Sequence, residues 1–193
     1  MGRRSSASAR KPSRSEASTF QTARRQVPCT LVLLGNVATD DPEGEQLFET
    51  LLKHRDERIR ILLAQDSALV NALQRRAAVV LQKSIREGFG LTVTEAMWKG
   101  AAVIGGNVGG IRYQIRDGEN GFLVSSVAQA AQRIVQLLKD AQLRKRLGQA
   151  ARESVRKRFL LIRLLEQYLD LFHSFQTVYR LKRSPDELSQ SSS

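Results

Sequence analysis

The chain has 193 residues, 41% of them hydrophobic and 26% charged, with one cysteine and a formal net charge of +12. That length builds one domain or two small ones, and no apolar run approaches the roughly 18 residues that would span a bilayer. Cys29 alone excludes a disulfide framework and a cysteine-based metal site, and it suits a reducing cytoplasm.

Half of the excess charge lies at the start. Residues 1 to 28 hold Arg3, Arg4, Arg10, Lys11, Arg14, Arg24 and Arg25 against Glu16 alone, in a Ser/Ala/Arg-rich stretch with little to bury. A disordered basic tail is the expectation there. Its composition also fits an organelle transit peptide or a start that is not native, and it lacks the apolar core of a secretory signal. A basic arm can hold phosphate polymers by counterion release, but no aromatic-interleaved basic surface or recognition-helix pattern supports a nucleic-acid partner.

Ordered structure is predicted from about Thr30. The run TLVLLG (30–35) is short, apolar and ended by glycine, the pattern of a buried strand. Asp40-Asp41-Pro42 reads as a helix cap rather than a metal site, and the helix behind it runs to about Arg55 with Leu47, Phe48, Leu51 and Leu52 on one face. IRILLA (59–64) is a second strand, a short helix carries Leu69, Val70 and Leu73, and AAVVLQ (77–82) is a third strand. AAVIGG (101–106) is the fourth, and DGENGFLV (117–124) a turn leading into the fifth. From Ser126 three helices follow, at 126–139, 140–157 and 159–180, before a polar tail over 181–193. Strand alternating with helix implies an α/β domain over 29–180, a parallel Rossmann-like sheet with helices on both faces. Ligands of such sheets sit at the carboxyl ends of strands.

Between the third and fourth strands lies REGFGLTVTEAMWKG (86–100). It forms a loop at a strand's carboxyl end, feeding a helix that starts near Leu91 or Thr92. Gly88 and Gly90 let a ligand approach the main chain closely, and the N–H groups of Gly90, Leu91 and Thr92 face outward with the positive end of the helix behind them. That is a phosphate cradle, although the same glycines also fit a plain tight turn. Glu95 can accept hydrogen bonds from vicinal hydroxyls such as those of a ribose, and Glu87 stands where a sugar would lie beyond the phosphates; alternatively, Thr94 and Glu95 form a solvated helix face. The pattern is neither a dinucleotide fingerprint nor a Walker loop. His54 and His173 have no nucleophile or ligand partner nearby in sequence, and the basic sets at 144–146 and 156–158 read as solvated helix faces, or as weak contacts for anionic partners.

The segment EGFGLTVTE resembles the signature of retaining glycosyltransferases of family 4, two glutamates separated by seven residues, from enzymes of the two-domain GT-B fold. The resemblance covers about Leu31 to Tyr168 and corresponds to the carboxy-terminal, donor-binding half. IREGFGLTVTEAMWKG with GGNVGGIRYQI and DGENGFLV is similar to the trehalose synthases and trehalose phosphorylases of that family, with Trp98 and Arg112-Tyr113-Gln114 carrying the match. The resemblance implies that Glu87, as the catalytic group orienting the donor sugar, works with the main chain at Gly88, Phe89 and Gly90. It implies that Leu91 and Thr92 receive the diphosphate of a nucleotide-glucose, that Glu95 takes the ribose, and that Gly35 and the segment after 59–64 border the base. It implies glucose transfer with retention to a sugar acceptor, without metal or other cofactor. A GT-B enzyme also needs an amino-terminal acceptor domain and a first strand bearing an Arg and a Lys for the diphosphate, neither of which is recognised here. Lys83 and Arg86 read as solvated charges, with partial substitution for that pair as the alternative. The expectation is therefore a donor-binding half that is inactive alone, as a fragment or one part of a split enzyme. A trehalose phosphorylase-like enzyme and a non-catalytic nucleotide-binding or interaction module are the rivals. Either a mobile end of the long apolar final helix or self-association through it is expected.

Overall fold

The computed structural model of the chain describes residues 14–35, 57–63, 66–83 and 87–182. Its first element is a helix, α1 (Arg14–Arg24). Two parallel strands follow, β1 (Leu31–Gly35) and β2 (Ile59–Leu63), paired from Leu31 opposite Ile59 to Gly35 opposite Leu63. After α2 (Ser67–Arg76) come β3 (Val79–Gln82), α3 (Leu91–Trp98), β4 (Ala102–Gly106), the short α4 (Ile111–Gln114) and β5 (Phe122–Val124). The last three strands form one parallel sheet in the order β3-β4-β5. Helices α5 (Val127–Lys139), α6 (Ala141–Arg158) and α7 (Leu161–Lys182) end the chain.

Alternation along β4 divides the core between two faces, as successive strand side chains must. Ala102 and Ile104 pack with Phe122, Val124 and the inner side of α5, including Ala130, Ile134 and Leu137. Ala101 and Val103 face the other way, against Val93, Ala96 and Met97 of α3 and Ala151 and Val155 of α6. All of β4 is buried, so both faces are covered by helices, the expected α/β architecture. Full burial of side chains such as Ile104 and Met97 stabilises the fold by roughly 1.5–3 kcal/mol each.

Caps delimit the helices as their sequences allow. Asp66 accepts from the N–H of Ala68 at 2.8 Å to start α2, Ser126 from Gln129 at 3.2 Å to start α5, and Asp140 from Leu143 at 2.8 Å to start α6. Each leaves fewer orphan donors in the first turn.

The expectation of a disordered tail through residue 28, with the domain starting at 29, is corrected over the described part. Residues 14–24 are helical, and Thr19, Phe20 and Ala23 are buried. Phe20 packs with Leu33 and Ile59, while Ala23 joins the cluster around Ile104 and Leu137. Thus α1 contacts both sheets' cores. The stretch has few apolar residues, but Phe20, Ala23 and Val27 fall at helical spacing on one side, enough to anchor it. The predicted helix at 40–55, with Asp40, Asp41 and His54, lies outside the described residues, as do Arg86 and residues 183–193. His173 lies on α7, where every residue from 161 to 176 is exposed. No helix among the described residues is long and apolar enough to cross a membrane.

Candidate functional site

The loop after β3 turns back at Glu87–Gly90 and feeds α3. Gly90 takes φ +83° and serves as the N-cap with no side-chain cap. Its carbonyl accepts from Val93 at 2.9 Å, so helical bonding starts one turn in. The N–H groups of Leu91 and Thr92 precede that bond, and no hydrogen bond to them is found among the described residues. Leu91 and Thr92 are exposed. The start of α3 therefore presents uncapped donors and the positive helix end to solvent, at the carboxyl side of the sheet.

A second loop makes the first one rigid. The segment Asn107–Gly110 after β4 lies against residues 87–89, and the Gly110 N–H donates to the Gly88 carbonyl at 2.7 Å. A Cβ on Gly109 would sit 1.8 Å from the Glu87 carbonyl oxygen, and one on Gly110 would sit 2.3 Å from that of Gly88. Only glycine fits this approach. Behind it stands Gln114, fully buried. Its amide nitrogen donates to the carbonyls of Phe89 and, at 3.4 Å, Gly90, and its oxygen accepts from the Thr94 hydroxyl at 2.6 Å. Asn120, also buried, donates to the Gln114 carbonyl at 3.2 Å and accepts from the Arg116 N–H at 2.7 Å. The turn DGENG thus braces α4, and α4 braces the cradle.

Each carboxylate has an amide beside it. Gln82, buried at the end of β3, donates to Glu87 Oε2 at 3.3 Å. Gln74, buried in α2, donates to Glu95 Oε2 at 3.4 Å, and its own oxygen accepts from the Lys99 ammonium. A carboxylate offers about four acceptor positions, so one such contact orients Glu95 while leaving capacity for hydroxyl donors. Phe89 is 42% exposed and meets Phe159 edge-on, centroids 5.6 Å apart. Trp98 lies on the far end of α3, under the Arg152 guanidinium at 5.3 Å, away from the loop.

The structure brings Glu87, Gly88, Phe89, Gly90, Leu91, Thr92 and Glu95 into one loop and helix start. Sequence reasoning did not anticipate the supporting shell of Gln74, Gln82, Gln114, Asn120 and Gly109-Gly110. Its legible signals were the second glycine pair, in GGNVGG (105–110), and Gln114 within the trio that carries the family match. Gly35, the other expected border, ends β1 on the separate two-stranded sheet.

Comparison with known proteins agrees with this architecture. A trehalose synthase of Pyrococcus horikoshii is 45% identical over 161 residues, spanning 80% of this chain and 39% of that protein. A trehalose phosphorylase of Grifola frondosa is 33% identical over 135 residues, covering 65% of this chain and 18% of that protein. The chain thus spans well under half the length of these relatives. Among solved structures, the C-terminal domain of a glycosyl transferase group 1 family protein from Francisella tularensis superposes with a TM-score of 0.66 at 27% identity, covering 76% of this chain and 78% of that one. Anabaena HepE in complex with UDP and glucose has a TM-score of 0.69 at 21% identity, over 81% of this chain and 44% of that one, a likeness of fold. The family model of glycosyl transferases group 1 matches residues 18–154, beginning inside α1. The chain belongs to the glycosyl transferases group 1.

Proposed function

We infer that this chain is the donor-binding part of a retaining, trehalose-synthase-like glycosyltransferase that moves glucose from a nucleotide-glucose to a sugar acceptor. The observation that carries the reading is the braced cradle: uncapped N–H groups at Leu91 and Thr92 between two amide-oriented carboxylates, Glu87 and Glu95. The helix start receives the diphosphate, Glu95 the ribose hydroxyls, and Glu87, with the main chain at Gly88–Gly90, the glucose. The Pyrococcus trehalose synthase and the Anabaena neighbour with UDP and glucose bound support this choice of donor and reaction.

In a same-face transfer the leaving diphosphate oxygen helps deprotonate the acceptor hydroxyl. The protein then contributes positioning and charge stabilisation rather than a covalent nucleophile. The helix dipole does part of the work that a divalent metal does elsewhere, so the reading includes no metal. An acceptor domain outside these residues completes the reaction. A nucleotide-sugar donor and a lone cysteine both fit a cytoplasmic setting.

Titration calorimetry with UDP-, ADP- and GDP-glucose, beside the free diphosphates, tests the reading. Saturable binding by at least one pair, weakened by Glu95→Ala, is the expected outcome, and no binding of any of them overturns it. A trehalose phosphorylase-like chemistry would instead show phosphate-dependent release of glucose 1-phosphate from trehalose once the acceptor domain is supplied.

A further inference from the structure

A second concave site lies at the opposite edge of the sheet from the cradle. Ala77 and Ala78 lead into β3 and Ala101 into β4, and these amino ends floor a shallow, open groove of about 250 Å³. Four cations line it, from three helix ends: Arg75 at the end of α2, Lys99 just after α3, and Arg144 and Lys145 near the start of α6. None of the four makes an ion pair among the described residues. Their contacts are to neutral acceptors. Arg75 donates to Asn71 at 3.3 Å, Lys99 to Gln74, and Arg144 to the carbonyls of Leu137 and, at 3.0 Å, Leu138.

Helix electrostatics explains part of this arrangement. Arg75 and Lys99 sit at carboxyl ends, where the dipole favours cations, and Arg144 satisfies the last carbonyls of α5. Lys145 has no such role. It stands in the first turns of α6, where the dipole disfavours a positive charge, and it points its excess charge at the same cavity. Glu95 stands one amide away from Lys99, through Gln74, and Asp140 caps the start of α6. Even so, four cations without a direct ion pair around one concavity repel each other, and a bound anion relieves that repulsion.

We propose that this groove is a binding site for a small phosphate-bearing anion, separate from the donor cradle and linked to it only through Gln74, which joins Lys99 to Glu95. The four cations converge on one small depression rather than along a stripe, which fits a diphosphate or a phosphorylated monosaccharide better than a polymer. Lysine and arginine bind such groups through charge-assisted hydrogen bonds. A phosphate monoester gains its second charge as pH rises through about 6, so its affinity increases across that range and falls with added salt.

The test is a titration of the full chain with pyrophosphate and, separately, glucose 6-phosphate, followed by backbone amide shifts in NMR. Saturable shifts at Gly100, Ala101 and Lys145 from either ligand are expected, whatever happens at Leu91 and Thr92 in the cradle. The double variant Arg75→Gln/Lys145→Gln changes two exposed side chains, and it should weaken those shifts by roughly tenfold or more with an unchanged melting curve. Shifts confined to the cradle, equal binding by the double variant, or a response to heparin with none to the small anions would each overturn the proposal.

Discussion

The Thr94 hydroxyl donates to Gln114 Oε1 at 2.6 Å, tying the second turn of α3 to a fully buried side chain that also holds the Phe89 and Gly90 carbonyls. One carboxamide thereby fixes both the loop and the helix that meet at the cradle. Replacing it with leucine keeps the volume but leaves a half-buried hydroxyl and two carbonyls with fewer partners. Gln114→Leu is expected to lose about 1–3 kcal/mol of stability in urea denaturation, together with a weaker response to nucleotide. A loss within the roughly 0.5 kcal/mol typical of surface changes would show that the bonds contribute little.

Gly109 and Gly88 make a matched pair for testing the contact between loops. A Cβ at Gly109 meets the Glu87 carbonyl at 1.8 Å, whereas one at Gly88 meets nothing within 4 Å. Gly109→Ala must push the loops apart and is expected to destabilise by at least about 1–3 kcal/mol, the overpacking range. Gly88→Ala should stay within about 0.5 kcal/mol of the parent. Similar melting temperatures for the two variants would contradict the close approach.

These two residues also show what the sequence could and could not reveal. Continuous apolar runs such as AAVIGG mark buried strands because both faces of β4 are covered, and REGFG before a helical run marks a strand-to-helix loop. Both signals are local. Gln114 lies 20 residues from Thr94 and 25 from Phe89, and Gln74 lies 21 from Glu95, so those partnerships exist only once the sheet has formed. Helix α1 was hidden for another reason: an Arg/Ser-rich composition masks an anchor that consists of little more than Phe20 and Ala23.

Glu95 is exposed and held by Gln74, so its removal should cost ligand rather than fold. Glu95→Ala is expected to weaken nucleotide-glucose binding by about 1–3 kcal/mol, the range for leaving hydroxyls unpaired, with little change in melting temperature. Calorimetry on both proteins measures it, and equal affinities would remove Glu95 from the ribose.

Glu153 on α6 gives a pH signature. Arg156 binds it in a fork, both contacts at 2.7 Å, and Lys157 approaches at 3.3 Å. Arg156 first, with Lys157 adding to it, holds the Glu153 carboxyl down to about 2. A depressed carboxylate contributes stability that is present above its unfolded value of about 4.3 and is lost as pH falls toward the folded value. NMR titration of Glu153 should therefore show a low midpoint that moves upward with added salt, since the pair lies at the surface. A midpoint at the ordinary glutamate value in low salt would mean the fork does not persist in solution.

Helix α7 has no burial along residues 161–176, although its composition calls for it. Leu161 is 79% exposed, and Leu164, Leu165, Tyr168, Leu171, Phe172 and Phe175 are all about half exposed or more. Their positions repeat at spacings of three and four, the stripe of a helix that packs against something. Burial of each such side chain stabilises by roughly 1.5–3 kcal/mol, so leaving the whole stripe in water gives a strong drive to association. The purified chain is expected to self-associate in a concentration-dependent way, and Leu164→Glu/Phe172→Glu should return it to a monomer with the sheet's melting transition intact. Light scattering across a dilution series separates these outcomes. A monomer at all concentrations, with slow hydrogen exchange along α7, would mean that the stripe folds back onto its own domain. The exposed arrangement would then not be the one adopted in solution.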